Sequence, residues 1–233
     1  MLAQCAIAAA TAGAGWLAYH CYAPTSQLYG ATITHCPNQS HLALTYDDGP
    51  NDPHTLHLLD VLARHDVKAT FFLIGKFVEA RPEIARTIVQ AGHLVANHTA
   101  THPNLLFLSE RKIAQQISDC SKAIADATGM RPQFFRPPFG ARRPAVLRIV
   151  GELDLTPVMW NVTCYDWKTI NVDRIERNAQ ARIEGDPSLG HIILLHDGGH
   201  TRLGVDRSRS VEASERLIRR YQGKFRFRRI DQI

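Results

Sequence analysis

The sequence predicts an α/β fold built as a β/α barrel. Two observations carry this expectation. From residue 41 onward, apolar runs of strand length alternate with helical patterns, and several of those runs end in a short polar motif. In a β/α barrel the C-terminal ends of the strands collect on one rim, where active sites gather. A chain of 233 residues suffices for one such domain with a short appendage. Its hydrophobic content of 45% and charged content of 21% are ordinary for a globular protein.

The first strand lies in residues 41–50, HLALTYDDGP, where Leu42, Leu44 and Tyr46 interleave with His41, Ala43 and Thr45 before a Gly49-Pro50 turn signal. Asp47 and Asp48 stand where this strand ends. Successive strand residues point to opposite faces, so both carboxylates serve one site only if the chain is already turning, and Gly49 and Pro50 are expected to supply that turn. Adjacent carboxylates repel, which points to a cation or a shared proton; a solvated turn is the alternative. Asn51, Asp52 and Pro53 read as the cap and first turn of a helix carrying Leu56, Leu58, Leu59, Val61 and Leu62. A strand at 69–74 comes next. Pro82 opens a helix with Ile84, Ile88 and Val89 that Gly92 closes, and a short strand at 93–96 delivers the segment HTATH. Ser109 caps the next helix, whose stripe of Ile113, Ile117, Cys120 and Ile124 ends before Gly129. Strands at 134–136, 157–162 and 192–195 deliver the remaining motifs.

In HTATH, His98 and His102 are four apart, the spacing that puts two imidazoles on one face of a helical turn. One carboxylate with two histidines is a common open set for a hydrolytic or redox metal, because it leaves positions free for water and substrate. Further along come RPPFG (136–140), WNVTCYDW (160–167) and IILLHD (192–197). TYDDG, HTATH, RPPFG, the Asp-Trp of YDW and LLHD stand in the order and rough spacing of motifs of the polysaccharide deacetylases. Over residues 38–231 the chain resembles that family, also called carbohydrate esterase family four or the NodB-homology domain. It departs from the pattern at Thr163, where the family often has the first of two aspartates; Asp166 and Trp167 remain.

The resemblance implies a distorted (β/α) barrel of the NodB-homology type, usually short of eight strands, with its active site on the C-terminal rim. It also implies a metal-dependent hydrolase that removes acetyl groups from a carbohydrate polymer. Asp48, His98 and His102 are then the ligands of one divalent ion. Zn²⁺ is the first expectation, and Co²⁺, Ni²⁺ or Mn²⁺ suit the same donors. Asp47 becomes the general base toward the attacking water, oriented by Arg136. The backbone N–H of Phe139 serves the oxyanion from a loop stiffened by Pro137 and Pro138. His196 is the acid for the leaving amine, with Asp166 as the partner that keeps it protonated to higher pH. Asp197, next along the strand, is expected to face away. Trp167 and Leu194 form the slot for the acetyl methyl group. His200, in HDGGH, reads as part of a mobile rim turn rather than as a further ligand.

Loops between elements look short apart from Thr163 to Asn171 and Gly198 to Asp206, which implies an open groove. N-acetylglucosamine units in chitin oligomers or peptidoglycan are the first expected substrate. The alternatives are acetylated xylan, which would make the protein an O-acetyl esterase, and a carbohydrate-binding barrel without turnover.

Residues 1–23 form the appendage. Leu2 to Tyr19 carries no charge, and no Lys or Arg occurs before Arg64. The run is just long enough to cross a bilayer, yet it is rich in Ala, Gly and Thr and lacks the positive start of a usual signal peptide. A signal peptide or membrane anchor is expected at 1–23, with 24–37 a connecting segment and 38–231 the catalytic domain, working outside the cytoplasm as an exported, membrane-anchored or extracellular monomer. The cysteines Cys5, Cys21, Cys36, Cys120 and Cys164 form neither an even framework nor a metal-knuckle spacing, and Cys164 is expected to pack. A net charge of +5 favours an anionic wall polymer as neighbour. No basic block or aromatic ladder suggests nucleic acid.

Overall fold

Eight parallel strands form one curled sheet in the computed structural model of the protein, which describes residues 13 and 15–233. They are β1 (His41–Gly49), β2 (Thr70–Leu73), β3 (Leu94–Asn97), β4 (Phe134–Phe135), β5 (Thr156–Pro157), β6 (Val162–Thr163), β7 (His191–His196) and β8 (Arg226–Phe227). The order is β5-β4-β3-β2-β1-β7-β6, with β8 beside the start of β1. The two edge strands, β5 and β6, are separated in sequence only by residues 158–161. Within that stretch the Val158 N–H bonds the Phe135 carbonyl, and the Asn161 N–H bonds the Ile192 carbonyl. One kinked stretch thus spans the seam of a distorted barrel. The single strand expected at 157–162 is broken because it changes partners there, from β4 to β7. Ile33 fills the seam, its N–H bonding the Pro157 carbonyl and its carbonyl accepting from Met159.

From residue 41 onward seven α-helices lie outside the sheet: α1 (His54–Arg64), α2 (Gly75–Ala80), α3 (Pro82–Gln90), α4 (Glu110–Thr128), α5 (Pro144–Glu152), α6 (Val172–Ile183) and α7 (Ser208–Tyr221). The expected signals at α4 hold: the Ser109 side chain accepts from the Lys112 N–H, and Gly129 closes the helix at φ 73°. β1 is buried on both faces, as a central parallel strand must be. Its outward row of Leu42, Leu44 and Tyr46 packs with Leu58, Leu62, Leu217 and Ile218 of the helices. The inward row runs Ala43, Thr45, Asp47, and Ala43 joins Phe72, Ala96, Trp160, Ile192 and Leu194 inside the barrel. Full burial of each leucine is worth about 1.5–3 kcal/mol. A slip of one residue would forfeit that and turn Asp47 out into the helix layer, so core packing fixes where the carboxylate points.

The segment expected as a connection is packed onto the barrel. Residues 15–22 are helical, and the buried Arg142 holds the next few residues in place, donating to the carbonyls of Ala23 at 2.6 Å and Ser26 at 2.8 Å as well as to Gly140 at 3.1 Å. Cys36 is fully buried, its thiol on the His191 carbonyl at 3.2 Å. The expected signal or anchor falls largely on residues 1–12 and 14, outside the described residues. Among the described residues no helix is long and apolar enough to cross a membrane. Cys21, Cys36, Cys120 and Cys164 are free thiols. Cys164 is packing, as expected, with burial raising its pKa well above the ordinary thiol value.

Candidate active site

Strand periodicity carries the first set of side chains to one place. Asp47 ends the inward row of β1, His98 follows the inward Ala96 just beyond β3, and His196 ends the inward row Ile192, Leu194 of β7. In register, Asp47 pairs directly with His196. Asp48 joins them because its own backbone turns, at φ 72°, where the β1–β2 register shifts between Asp47 and Gly49. The turn therefore lies one residue earlier than Gly49-Pro50. Thr99, His102 and Phe139 also have left-handed backbones, at φ 70°, 62° and 60°. Such conformations cost non-glycine residues about 1–3 kcal/mol each and persist where surrounding structure over-determines them.

His98 and His102 converge without a helix. The Asn97 carboxamide accepts from the Thr99 N–H at 2.8 Å, and the Thr99 hydroxyl accepts from the His102 N–H at 3.0 Å. These side-chain bonds replace the helical turn expected from the spacing and still bring the two rings within 4.9 Å.

Arg136 is fully buried inside the barrel, between Phe72 and Trp160. It donates to Asp47 Oδ1 at 2.7 Å, to the Thr45 hydroxyl at 2.8 Å and to the carbonyls of Met159 at 3.0 Å and Val158 at 3.2 Å. One oxygen of Asp47 is thereby fixed and Oδ2 is left for the pocket. On the other side, Asp166 accepts from His196 Nδ1 at 2.9 Å, from the His196 backbone N–H at 2.7 Å and from the Ser210 hydroxyl at 2.7 Å. Burial disfavours the Asp166 charge, but His196, Ser210 and Arg207 more than offset it and hold the carboxyl below its usual range. Burial likewise pushes His196 toward neutrality; the Asp166 carboxylate, with Asp48 and Asp47 behind it, outweighs this and raises its pKa. With Nδ1–H committed to Asp166, Nε2 is the ring atom free for the pocket.

Asp47, Asp48, His98, His102 and His196 line a cavity of about 370 Å³ together with Phe139, Trp160, Trp167, Leu194 and His200. Trp167 stands edge-on to the His196 ring at 5.2 Å, and Leu194 is buried beside it. In the third motif the Gly140 and Ala141 N–H groups close back on the carbonyls of Pro137 and Pro138, and the Phe139 N–H has no protein acceptor among the described residues. Asp197 faces away, as expected: it accepts from the Thr55 hydroxyl and packs where a Cβ on Gly49 would collide with it. The departure at Thr163 is accommodated, since its hydroxyl accepts from the Trp160 indole at 2.9 Å.

The donor set fits a divalent cation. His98 Nδ1 lies 2.8 Å from the Arg136 carbonyl, so that nitrogen carries the proton, and Nε2, with its lone pair, faces two further acceptors, Asp48 Oδ1 at 3.6 Å and Asp47 Oδ2 at 3.7 Å. His102 Nε2 lies 3.3 Å from the same Asp48 oxygen, which is buried without a hydrogen-bond partner among the described residues. Buried acceptors facing one another call for a cation between them. Donors roughly 2.0–2.1 Å from a four-coordinate zinc ion stand about 3.3 Å apart, close to these separations. Burial, with His98 nearby, depresses the His102 pKa to about 3 against the pull of Asp48, which keeps the ring neutral, the form able to bind a metal. Burial works against the charge of Asp48, but His200, His196, His102 and His98 outweigh it and hold the carboxyl well below its usual range.

Sequence reasoning missed several members of the site. Asn51, read as a helix cap, instead bonds the carbonyls of Asp197 at 3.0 Å and Val205 at 2.9 Å and accepts from the Gly204 N–H at 2.7 Å; Pro53 caps α1 without a side-chain bond. His200 belongs to the loop so pinned, and Asp48, His102 and His200 place ligand atoms within 4.8 Å of one another. Ser210 was also unforeseen. Its signal is a small polar residue on the buried stripe of α7, beside Ala213, Ser214 and Leu217.

The sequence profile described as polysaccharide deacetylase matches residues 34–158. A peptidoglycan-N-acetylglucosamine deacetylase of Bacillus cereus is 38% identical over 171 residues, which are 72% of this chain and 61% of that protein. A chitooligosaccharide deacetylase of Bradyrhizobium sp. is 40% identical over 182 residues, covering 75% of this chain and 81% of that one. Among solved structures, the Bc1960 peptidoglycan N-acetylglucosamine deacetylase is similar with a TM-score of 0.77 and 33% identity, over 86% of this chain and 91% of that one. BA3943, a pseudoenzyme of the same carbohydrate esterase family from Bacillus anthracis, is similar with a TM-score of 0.76 and 30% identity, over 87% of this chain and 68% of that one.

Proposed function

The chain belongs to the polysaccharide deacetylase family, and on that premise we propose that it is a metal-dependent hydrolase removing N-acetyl groups from N-acetylglucosamine polymers. The observation that carries the reading is the opposed pair Asp47 and His196. They sit in register on neighbouring strands, and each is held on its far side by a buried partner, Arg136 or Asp166, so that a free carboxylate oxygen and a free ring nitrogen remain for the pocket.

Asp48, His98 and His102 would hold the divalent ion, with Zn²⁺ the first choice among the ions that suit these donors. Such an ion would polarise the acetyl carbonyl and would lower the pKa of the attacking water toward about 7. Asp47 takes the proton of that water through Oδ2, while Arg136 fixes Oδ1. The Phe139 N–H stabilises the negative oxygen that develops on the carbonyl. His196 delivers a proton from Nε2 to the departing amine. Trp167 and Leu194 receive the methyl group and exclude bulk water.

Chitin oligomers and peptidoglycan strands are the substrates we favour, because relatives that cover most of this chain carry those names and because the net charge of +5 suits an anionic wall. We place the enzyme outside the cytoplasm, on the strength of the uncharged run Leu2 to Tyr19 and the polymer substrate. The test is acetate released from N-acetylglucosamine oligomers of one to six units, from peptidoglycan and from acetylated xylan, at equal acetyl concentration. The proposal expects release from the first two classes, rising with oligomer length as remote contacts hold the reacting unit in place. Release from xylan alone would overturn the substrate.

A further inference from the structure

We propose that His200 is a fourth protein ligand of the divalent ion, supplied by the loop between β7 and α7 and able to leave when substrate enters. The inference rests on the metal-dependent reading above. The two oxygens of Asp48 face different imidazoles: Oδ1 faces His102 and His98 at 3.3 and 3.6 Å, and Oδ2 faces His200 Nδ1 at 3.8 Å. The His200 ring stacks on His102 with centroids 4.6 Å apart and planes 22° from parallel, and it stands edge-on to Phe139 at 5.6 Å. Two aromatic neighbours thus hold it over the cavity although its side chain is 44% exposed.

The loop that carries His200 is anchored, contrary to the mobile turn that its Gly-Gly sequence suggests. Asn51, which is 1% exposed, ties its two ends together through Asp197, Gly204 and Val205. Lys76 Nζ donates to the His200 carbonyl itself at 2.7 Å. A Cβ on Gly198 would collide with the Asp48 carbonyl, so the loop sits directly on the backbone of a ligand. Such anchoring at three points defines a position for the imidazole.

Four protein donors leave no open place on a four-coordinate ion, and a catalytic ion needs one. His98 and His102 are buried in the barrel mouth, whereas His200 alone of the three is half exposed. It is therefore the donor that can yield its place. In the resting protein it would raise metal retention, and on substrate binding it would withdraw.

The test uses the full chain loaded with Zn²⁺, as wild type, His200→Ala and His102→Ala. X-ray absorption counts the imidazoles bound, and competition with a chelator gives the affinity. The proposal expects three imidazoles in the wild type, two in His200→Ala, and Zn²⁺ affinity about tenfold or more weaker in that variant. An imidazole count and affinity in His200→Ala equal to wild type, while His102→Ala loses metal, would overturn the role of His200 alone. If His102→Ala also binds Zn²⁺ as wild type does, the metal centre itself is misplaced and the proposal falls with it.

Discussion

Asp166 holds His196 twice, accepting from the ring at 2.9 Å and from the backbone N–H at 2.7 Å. The double grip fixes both the tautomer and the direction of the free Nε2, and the adjacent negative charge raises the imidazole's pKa. Replacing His196 with Ala should lower the rate about 10²- to 10⁴-fold, the usual worth of a positioned acid. Asp166→Asn removes the charge that favours the protonated ring. Because the acid must be protonated to act, the descending limb of the pH–rate profile should then move to lower pH. A limb that stays in place in Asp166→Asn would assign it to another group.

Arg136 and Asp47 form a buried ion pair. Arg136→Met leaves the carboxylate and the carbonyls of Val158 and Met159 without their donor, and should cost about 3–5 kcal/mol of stability, as expected for one half of a buried ion pair. The double variant Asp47→Asn with Arg136→Met should lose less than the sum of the two single losses. Denaturant unfolding of the four proteins measures the coupling, and strict additivity would mean that the pair does not interact.

Asp197 is buried, and that burial, with Asp48 and Asp47 nearby and in spite of the Thr55 hydroxyl, lifts its pKa from 3.8 to about 7. Between those values the native state holds a proton that the unfolded chain has released. This contribution to stability is complete below 3.8 and is lost as pH rises toward about 7. The stability of wild type relative to Asp197→Asn should therefore decline over that window and level off above it. A difference that is flat with pH would show that Asp197 is ionised throughout.

Arg142 ties Ala23 and Ser26 to Gly140 of the third motif. Removing residues 1–14 leaves those partners in place and gives the reference midpoint. Removing residues 1–29 strips Arg142 of charge-assisted bonds worth about 1.5–3 kcal/mol each, and should destabilise the barrel by at least about 3 kcal/mol. Equal midpoints for the two truncations would mean that the segment adds nothing to the fold.

The part of the site that is legible in the sequence obeys strand logic. Asp47 and His196 each end an apolar run of strand length, so their place on the rim was readable, while their roles came with the motifs that the chain shares with the family. Arg136 was readable only through its motif, since nothing in its neighbours says that a cation will fill the barrel. The helical reading of His98 and His102 failed because Asn97 and Thr99 offer side-chain bonds that compete with a helical turn. Asn51 failed for a related reason. A capping residue bonds within its own turn, whereas this one reaches residues more than a hundred positions away, and no local pattern records that. The break at residues 158–161 is likewise invisible in sequence, because it exists only where the sheet curls round to meet itself.

The proposed mechanism turns on Asp47 acting as the base beside a divalent ion. The most direct measurement is acetate release from a hexamer of N-acetylglucosamine by four preparations: wild type, wild type stripped by a chelator, the stripped protein given back Zn²⁺, and metal-loaded Asp47→Asn. The expected result is activity lost on stripping and regained on return of the metal, with Asp47→Asn retaining metal yet slower by about 10²- to 10⁴-fold. Acetate released at the wild-type rate by the stripped protein, or by Asp47→Asn, would contradict it.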